Sequence, residues 1–129
     1  MPSSRTVLTA SAVLLAVLGL GALFAPTGAA VLLGLERSAT DSLSLAAPGL
    51  LGVAGLDWVG RGLRMGGIYG RPLTMANVLT GAVATSTLAR LLSEQGGTAV
   101  GWLLVAALGL YTILFGLSMV RPPDTVGSA

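Results

Sequence analysis

Residues 98–120 read TAVGWLLVAALGLYTILFGLSMV, a run without a single charged side chain. A helix needs about 20 mostly apolar residues to cross the hydrocarbon core of a bilayer, so this run predicts a transmembrane helix. Three earlier runs are similar, at residues 7–24, 42–59 and 72–89, although Asp57 lies in the final turn of the second. The sequence therefore predicts an all-α, polytopic membrane protein, a four-transmembrane-helix bundle that forms one membrane domain over residues 1–129.

The composition of the whole chain agrees with this prediction. Hydrophobic residues make up 53% of the 129 residues and charged residues only 9%, and the mean hydropathy is +0.87. A soluble domain carries about 25% charged residues, so a soluble fold of this chain would expose large apolar patches. The composition excludes an ordinary soluble enzyme, a disordered tail and a protein that binds nucleic acid.

Three residue types that carry much of protein chemistry are absent, namely Cys, His and Lys. Without Cys and His there is no thiolate site and no common haem or copper ligand. Without Lys there is no Schiff base to a cofactor. We therefore expect no cofactor, no metal site and no catalytic residue, and we interpret the chain as a non-enzyme.

The segments between the predicted spans contain turn-forming residues. Pro26 and Gly28 disfavour continuation of the first helix. Residues 29–35 are apolar but too few to span, which predicts a short interfacial helix. Residues 60–71 hold most of the Gly and Arg between the spans and predict the main loop.

The arginines predict the orientation, because loops rich in Arg and Lys stay in the cytoplasm. Four spans place five arginines on one side and two on the other: Arg5, Arg61, Arg64, Arg71 and Arg121 against Arg37 and Arg90. Both termini and the 60–71 loop are therefore expected in the cytoplasm. Arginine without lysine, beside much Ala, Gly, Leu and Val, indicates a bacterium with a GC-rich genome. The alternative is that the first span is a secretory signal cleaved after residues 28–30, although its apolar stretch is longer than a signal core.

One group of charges lies at the end of the second predicted span. Asp57 is four residues before Arg61 and seven before Arg64, so a continuous helix places all three on one face. We predict an ion pair that finishes the helix at the membrane interface. The alternative is that Asp57 carries a proton or a cation, because an acid within a span marks a functional site.

The third predicted span carries a stripe of small and polar residues. Asn77, Gly81 and Thr85 recur every four residues, a spacing that lets membrane helices approach closely and form hydrogen bonds. We predict a helix-packing face. The alternative is a polar pathway lined by Asn77.

Several short motifs resemble a broad set of small, uncharacterised bacterial membrane proteins with four helices, loosely grouped as DoxX-like. They are Phe24-Ala25-Pro26 followed by residues 32–35 (LLGL), residues 55–61 (GLDWVGR) and Val100-Gly101-Trp102. The resemblance implies four spans in a bacterial inner membrane. Some DoxX proteins are linked to quinone-coupled sulfur oxidation, but the resemblance supplies no residue with an assigned role.

Three functions remain open from the sequence. The first is a non-enzymatic accessory or scaffold subunit, or a homo-oligomer, embedded in the lipid bilayer. The second is a small dimeric transporter or proton-coupled exporter with Asp57 as the coupling acid. The third is a lipid- or quinone-binding subunit of a membrane redox complex, with Arg61, Arg64 and Arg71 against anionic headgroups.

Overall fold

A computed structural model describes residues 2–120, and within them the protein consists of five α-helices without a β-strand. The helices are α1 (Ser4–Phe24), α2 (Pro26–Leu33), α3 (Ala39–Gly60), α4 (Gly70–Gln95) and α5 (Ala99–Val120). The prediction of an all-α fold is confirmed. Arg121 and the residues after it lie outside the described part of the chain.

Three of these helices are long and apolar enough to cross a membrane: α1, α3 and α5. The fourth expected span, 72–89, lies within α4, which has 26 residues but is not among the three. The physical reason is composition, because α4 carries Asn77, Arg90 and several Thr and Ser residues. The structure thus supports a membrane-embedded helical protein with three candidate spans.

The long helices are arranged as two pairs. α1 packs most extensively against α3, and α4 against α5. Glycines allow the close approach in each pair: a Cβ at Gly19 would lie 2.7 Å from Cγ of Leu51, and a Cβ at Gly81 would lie 2.7 Å from Cδ1 of Tyr111. These distances are shorter than a carbon–carbon contact permits, so larger residues would push the paired helices apart.

One end of the bundle is held together by backbone contacts, and we call it the α2 end. Pro26 opens α2 at its first turn, where its missing N–H is tolerated. Gly34 ends α2 with a left-handed φ of 76°, which brings the chain back against the α4–α5 connection. There the Thr98 N–H donates to the Leu33 carbonyl at 3.1 Å, and the Thr98 hydroxyl donates to the Leu32 carbonyl at 2.7 Å.

The opposite end carries the connection between α3 and α4, residues 61–69, and we call it the loop end. Met65 folds inward from this connection and is only 1% exposed. Its N–H donates to the Ser4 hydroxyl at 3.4 Å, and its carbonyl accepts from the Thr74 hydroxyl at 3.3 Å. The inward path requires Gly70, because a Cβ there would lie 1.9 Å from the Arg64 carbonyl oxygen.

The start of α3 differs from the sequence prediction. The helix begins at Ala39, ahead of the expected start at residue 42, so Pro48 lies inside the helix. An interior proline leaves the carbonyl four residues earlier without its helical donor, which here is the carbonyl of Ser44. The short apolar segment expected at 29–35 is part of α2, which begins earlier, at Pro26.

Candidate functional site

Four polar side chains meet in the loop half of the bundle, one from each long helix. They are Ser11 on α1, Asp57 on α3, Asn77 on α4 and Tyr111 on α5, and we call them the polar cluster. Asp57 and Asn77 have no exposed surface, and Ser11 and Tyr111 are nearly as deeply buried. Ser11 and Asn77 each follow the start of their helix by seven residues, about 10 Å at 1.5 Å per residue.

Hydrogen bonds join all four members of the polar cluster. The Ser11 hydroxyl donates to Oδ2 of Asp57, and the Asn77 amide donates to Oδ1 of Asp57 at 2.6 Å. The Tyr111 hydroxyl donates to Oδ1 of Asn77. The second amide hydrogen of Asn77 is used by the Leu73 carbonyl on its own helix, at 2.9 Å, which fixes the orientation of the amide.

The expected ion pair between Asp57 and Arg61 does not form among the described residues. Both oxygens of Asp57 accept hydrogen bonds from other helices, because the side chain points into the bundle. Arg61 instead lies 4.1 Å above the Trp58 ring and donates to the Trp58 carbonyl at 2.6 Å. Arg64 is in the connection beyond the end of α3, so the helical spacing of seven residues does not apply to it.

Packing around Tyr111 sets its place in the polar cluster. Its ring lies against Phe115, with 4.9 Å between the ring centroids. On the other side the ring crosses α4 at Gly81, where only a hydrogen fits. The hydroxyl is thereby held within bonding distance of Asn77, one turn before Gly81.

The structure separates the members of the predicted stripe on α4. Asn77 belongs to the polar cluster, and Gly81 is the contact point with α5. Thr85 packs near Gly109 of α5, and its buried hydroxyl oxygen has no hydrogen-bond partner within the described residues. All three residues therefore contact α5: Asn77 through the Tyr111 hydroxyl, Gly81 at Tyr111 and Thr85 at Gly109.

Two members of the polar cluster were not identified from the sequence, Ser11 and Tyr111. Serine is frequent in membrane helices, and here it bonds often to its own helix, as Ser86, Ser93 and Ser118 do. Tyr111 carried a usable signal, because it is a polar aromatic residue in the middle of a span and not at the interface where aromatic belts lie. A tyrosine at that depth indicates an internal hydrogen-bond partner.

The α2 half of the bundle contains an apolar cavity of about 450 Å³. All five helices contribute to its wall, which includes Leu18, Leu33, Leu43, Leu88 and Leu104. The polar side chains in the wall are two hydroxyl groups, those of Ser42 and Thr87. Ser42, Thr87 and Leu32 are exposed, whereas Leu33 and Leu88 are buried, so the cavity extends from the surface into the bundle.

Comparison of the chain with protein-family models, with curated proteins and with solved structures finds no match. The DoxX-like resemblance therefore stays an expectation, and the argument for a function depends on the polar cluster and the cavity.

Proposed function

We propose that this chain is a non-enzymatic membrane protein that binds the hydrocarbon tail of a lipid-like molecule inside its helical bundle. The observation that carries the proposal is the apolar cavity of about 450 Å³ walled by all five helices. Its volume lies within the 300–1,000 Å³ that is typical of small-molecule sites. From the sequence, lipid or quinone binding was also one of three possible functions. There the proposed binding residues were the arginines, whereas here the proposed binding site is the cavity.

The size and lining of the cavity favour a hydrocarbon occupant over water. Buried water needs two to four polar partners, and Ser42 and Thr87 are too few for a space of this size. A flexible acyl or isoprenoid chain, entering from the surrounding lipid, satisfies the apolar wall without any polar partner.

The small-residue faces support this proposal over a scaffold or a homo-oligomer. The sequence predicts a helix-packing face on α4, at Asn77, Gly81 and Thr85, which could serve a contact with another protein or within the chain. In the structure Gly81 lies against Tyr111 and Thr112, and Thr85 against Gly109, so the two faces pack on each other within one chain.

The proposal includes α4 as a fourth crossing helix in a bacterial inner membrane. Its 26 residues reach about 39 Å, longer than the hydrocarbon core. Several of its hydroxyls bond to its own backbone, as Thr74, Ser86 and Ser93 do, which reduces the cost of placing them in lipid. Four crossings and the arginine distribution then place both termini in the cytoplasm.

The experiment is photo-crosslinking of the purified protein in bilayers with a long-chain fatty acid that carries a diazirine near its tail. We expect crosslinks at residues of the cavity wall, such as Leu33 and Leu88. Ala84→Phe fills the cavity from α4 and should reduce labelling at those residues by roughly tenfold, equivalent to about 1.4 kcal/mol. Ala82→Phe is the matched control, because Ala82 is exposed and does not line the cavity.

Labelling spread evenly over exposed residues such as Val13 and Leu79, and unchanged by Ala84→Phe, would refute the proposal. Mass spectrometry of the lipids that co-purify separates the two sources of such a tail. A phospholipid or fatty acid identifies an acyl chain, and a prenyl-quinone identifies an isoprenoid chain.

A further inference from the structure

The polar cluster contains an acid that is buried without a cationic partner among residues 2–120. Asp57 has no exposed surface, and the side chains that donate hydrogen bonds to it are the neutral Ser11 and Asn77. Moving a carboxylate out of water costs several kcal/mol even after the protein relaxes. An acid kept in a membrane helix at that cost marks a functional site by default.

The donors around Asp57 match an ionised carboxylate. The cluster offers four hydrogens, from the Ser11 hydroxyl, the Tyr111 hydroxyl and the two amide hydrogens of Asn77. Two of them bind Asp57, one binds the Asn77 oxygen and one binds the Leu73 carbonyl. Every donor in the polar cluster is therefore used when Asp57 carries its negative charge.

The same atoms also form a complete network when Asp57 carries a proton. A proton on Oδ2 of Asp57 would donate to the Ser11 oxygen, so the Ser11 hydroxyl must donate elsewhere. Oδ1 of Asn77 lies 3.2 Å from the Ser11 oxygen, and the Tyr111 oxygen lies 3.4 Å from it. Since Oδ1 of Asn77 has two lone pairs, it can accept from Ser11 and Tyr111 together.

We propose that Asp57 is a proton-binding site and that the Ser11 hydroxyl switches between its two states. One O–H bond forms on Oδ2 of Asp57 when a proton arrives from water, and the same bond breaks when it leaves. Rotation of the Ser11 hydroxyl, from Asp57 towards Asn77, keeps the hydrogen bonds complete in both states. Ser11 is thus a positioning residue, and Asp57 is the group that holds the proton.

The groups that face Asp57 are few. α1 contributes Ser11 and α4 contributes Asn77, both neutral, and α5 contributes Tyr111, the titratable group that shares the cluster. On its own helix, Arg61 is turned to Trp58. Three further arginines at the loop end are exposed: Arg5, Arg64 and Arg71.

The route for the proton leads to the loop end. Asp57 is three residues from the end of α3, and Met65 lies in the same apolar group as Tyr111 and Phe115. Met65 belongs to the 61–69 connection, so movement of this connection would expose the polar cluster to water. The proposal does not depend on the occupant of the cavity in the opposite half.

The experiment is infrared difference spectroscopy of the full chain in lipid nanodiscs as the buffer pH is changed. We expect a carboxylic-acid carbonyl band that appears and disappears with pH in the wild type and is lost completely in Asp57→Asn. Ser11→Ala should keep the band but change both its frequency and its titration midpoint. Ser118→Ala is the control, because Ser118 is equally buried but donates only to the Leu114 carbonyl of its own helix.

Isotope labelling of aspartate keeps the test valid if Asp57→Asn does not fold. The chain has three aspartates, of which Asp41 is exposed. A label-sensitive band that exchanges slowly with solvent and persists in Asp124→Asn therefore belongs to Asp57. A wild-type spectrum without such a band at any pH at which the protein stays folded overturns the proposal. A band that responds to sodium but not to choline at constant pH would also overturn it, because the site would then bind a cation.

Discussion

The two halves of this bundle are built on opposite principles. In the loop half, four helices are joined by the polar cluster, and large buried side chains such as Leu8, Leu15 and Phe115 surround it. In the α2 half, the same helices leave a cavity of about 450 Å³ between small and branched apolar residues. Lipid is as apolar as leucine, so transferring a leucine from lipid to a helix interface contributes little free energy to helix association. The comparison indicates that side-chain hydrogen bonds between four helices hold the loop half. The α2 half is held by backbone contacts and a second apolar core, beside a cavity with room for a hydrocarbon chain.

Among the substitutions that compare the two halves, Asn77→Leu should lower the free energy of unfolding the most. It removes the hydrogen bonds that Asn77 makes with Asp57 and Tyr111. Oδ1 of Asp57 then loses its donor, and Ser11 remains as the neighbour of both Asp57 and the Tyr111 hydroxyl. Interhelical hydrogen bonds in membrane proteins contribute about 0.6 kcal/mol on average and up to about 1.7. We therefore expect a loss of roughly 2–3 kcal/mol in unfolding by sodium dodecyl sulfate in mixed micelles.

Ser86→Leu is the control for Asn77→Leu, since Ser86 is exposed and bonds only within α4. It should change the unfolding free energy by less than about 0.5 kcal/mol. Equal effects of the two substitutions would mean that the polar cluster does not stabilise the loop half.

A pair of leucines on α1 compares the packing of the two halves directly. Leu15 is completely buried in the loop half, whereas Leu18 is half-buried and lines the cavity. Leu15→Ala leaves a new void in close-packed surroundings and should cost about 2 kcal/mol, at the lower end for such substitutions because the transfer from water is absent. Leu18→Ala only enlarges an existing space and should cost less than about 1 kcal/mol. The same unfolding assay measures both, and a larger loss for Leu18→Ala would contradict the comparison.

The smallest expected change in stability, and the one whose sign is most informative, comes from two threonines on α4. The hydroxyl of Thr74 donates to the Gly70 carbonyl at 2.9 Å, while that of Thr85 is buried without a partner in the described chain. Thr85→Val removes an unsatisfied polar atom at constant shape and should stabilise the protein by up to about 1 kcal/mol. Thr74→Val should instead destabilise it by about 0.5–1 kcal/mol. If Thr85→Val is also destabilising, the Thr85 hydroxyl binds something in the membrane that occupies the space beside α5.

The sequence predicted the helices better than it predicted the site. Runs without charge locate the long helices, because a charged side chain is costly in lipid and spanning helices therefore contain few of them. The charge-free run 72–89 predicted a span within α4, but α4 is not among the three helices that are apolar enough, because it also carries Asn77 and several Thr and Ser residues. The sequence placed Pro48 in the early turns of the second span, but it did not predict that the helix begins three residues earlier, at Ala39.

The polar cluster could not be predicted from the sequence, because its members come from four different helices. Asp57 and Arg61 have a spacing that predicts a pair on an isolated helix. The rotation of α3 against α1 decides otherwise, because it places Asp57 beside Ser11, 46 residues earlier in the chain. Such partners are chosen by helix packing, and neither periodicity nor composition specifies them.

The polar cluster is divided evenly between the two helix pairs, and this division has a consequence for biogenesis. Ser11 and Asp57 belong to α1 and α3, which pack on each other and leave the ribosome first. Asn77 and Tyr111 belong to α4 and α5, which follow. The acid therefore gains a first hydrogen-bond donor as soon as the earlier pair has entered the membrane. We expect the later pair to arrive as a hairpin joined by the Tyr111–Asn77 hydrogen bond, and its docking to complete the set of donors around Asp57.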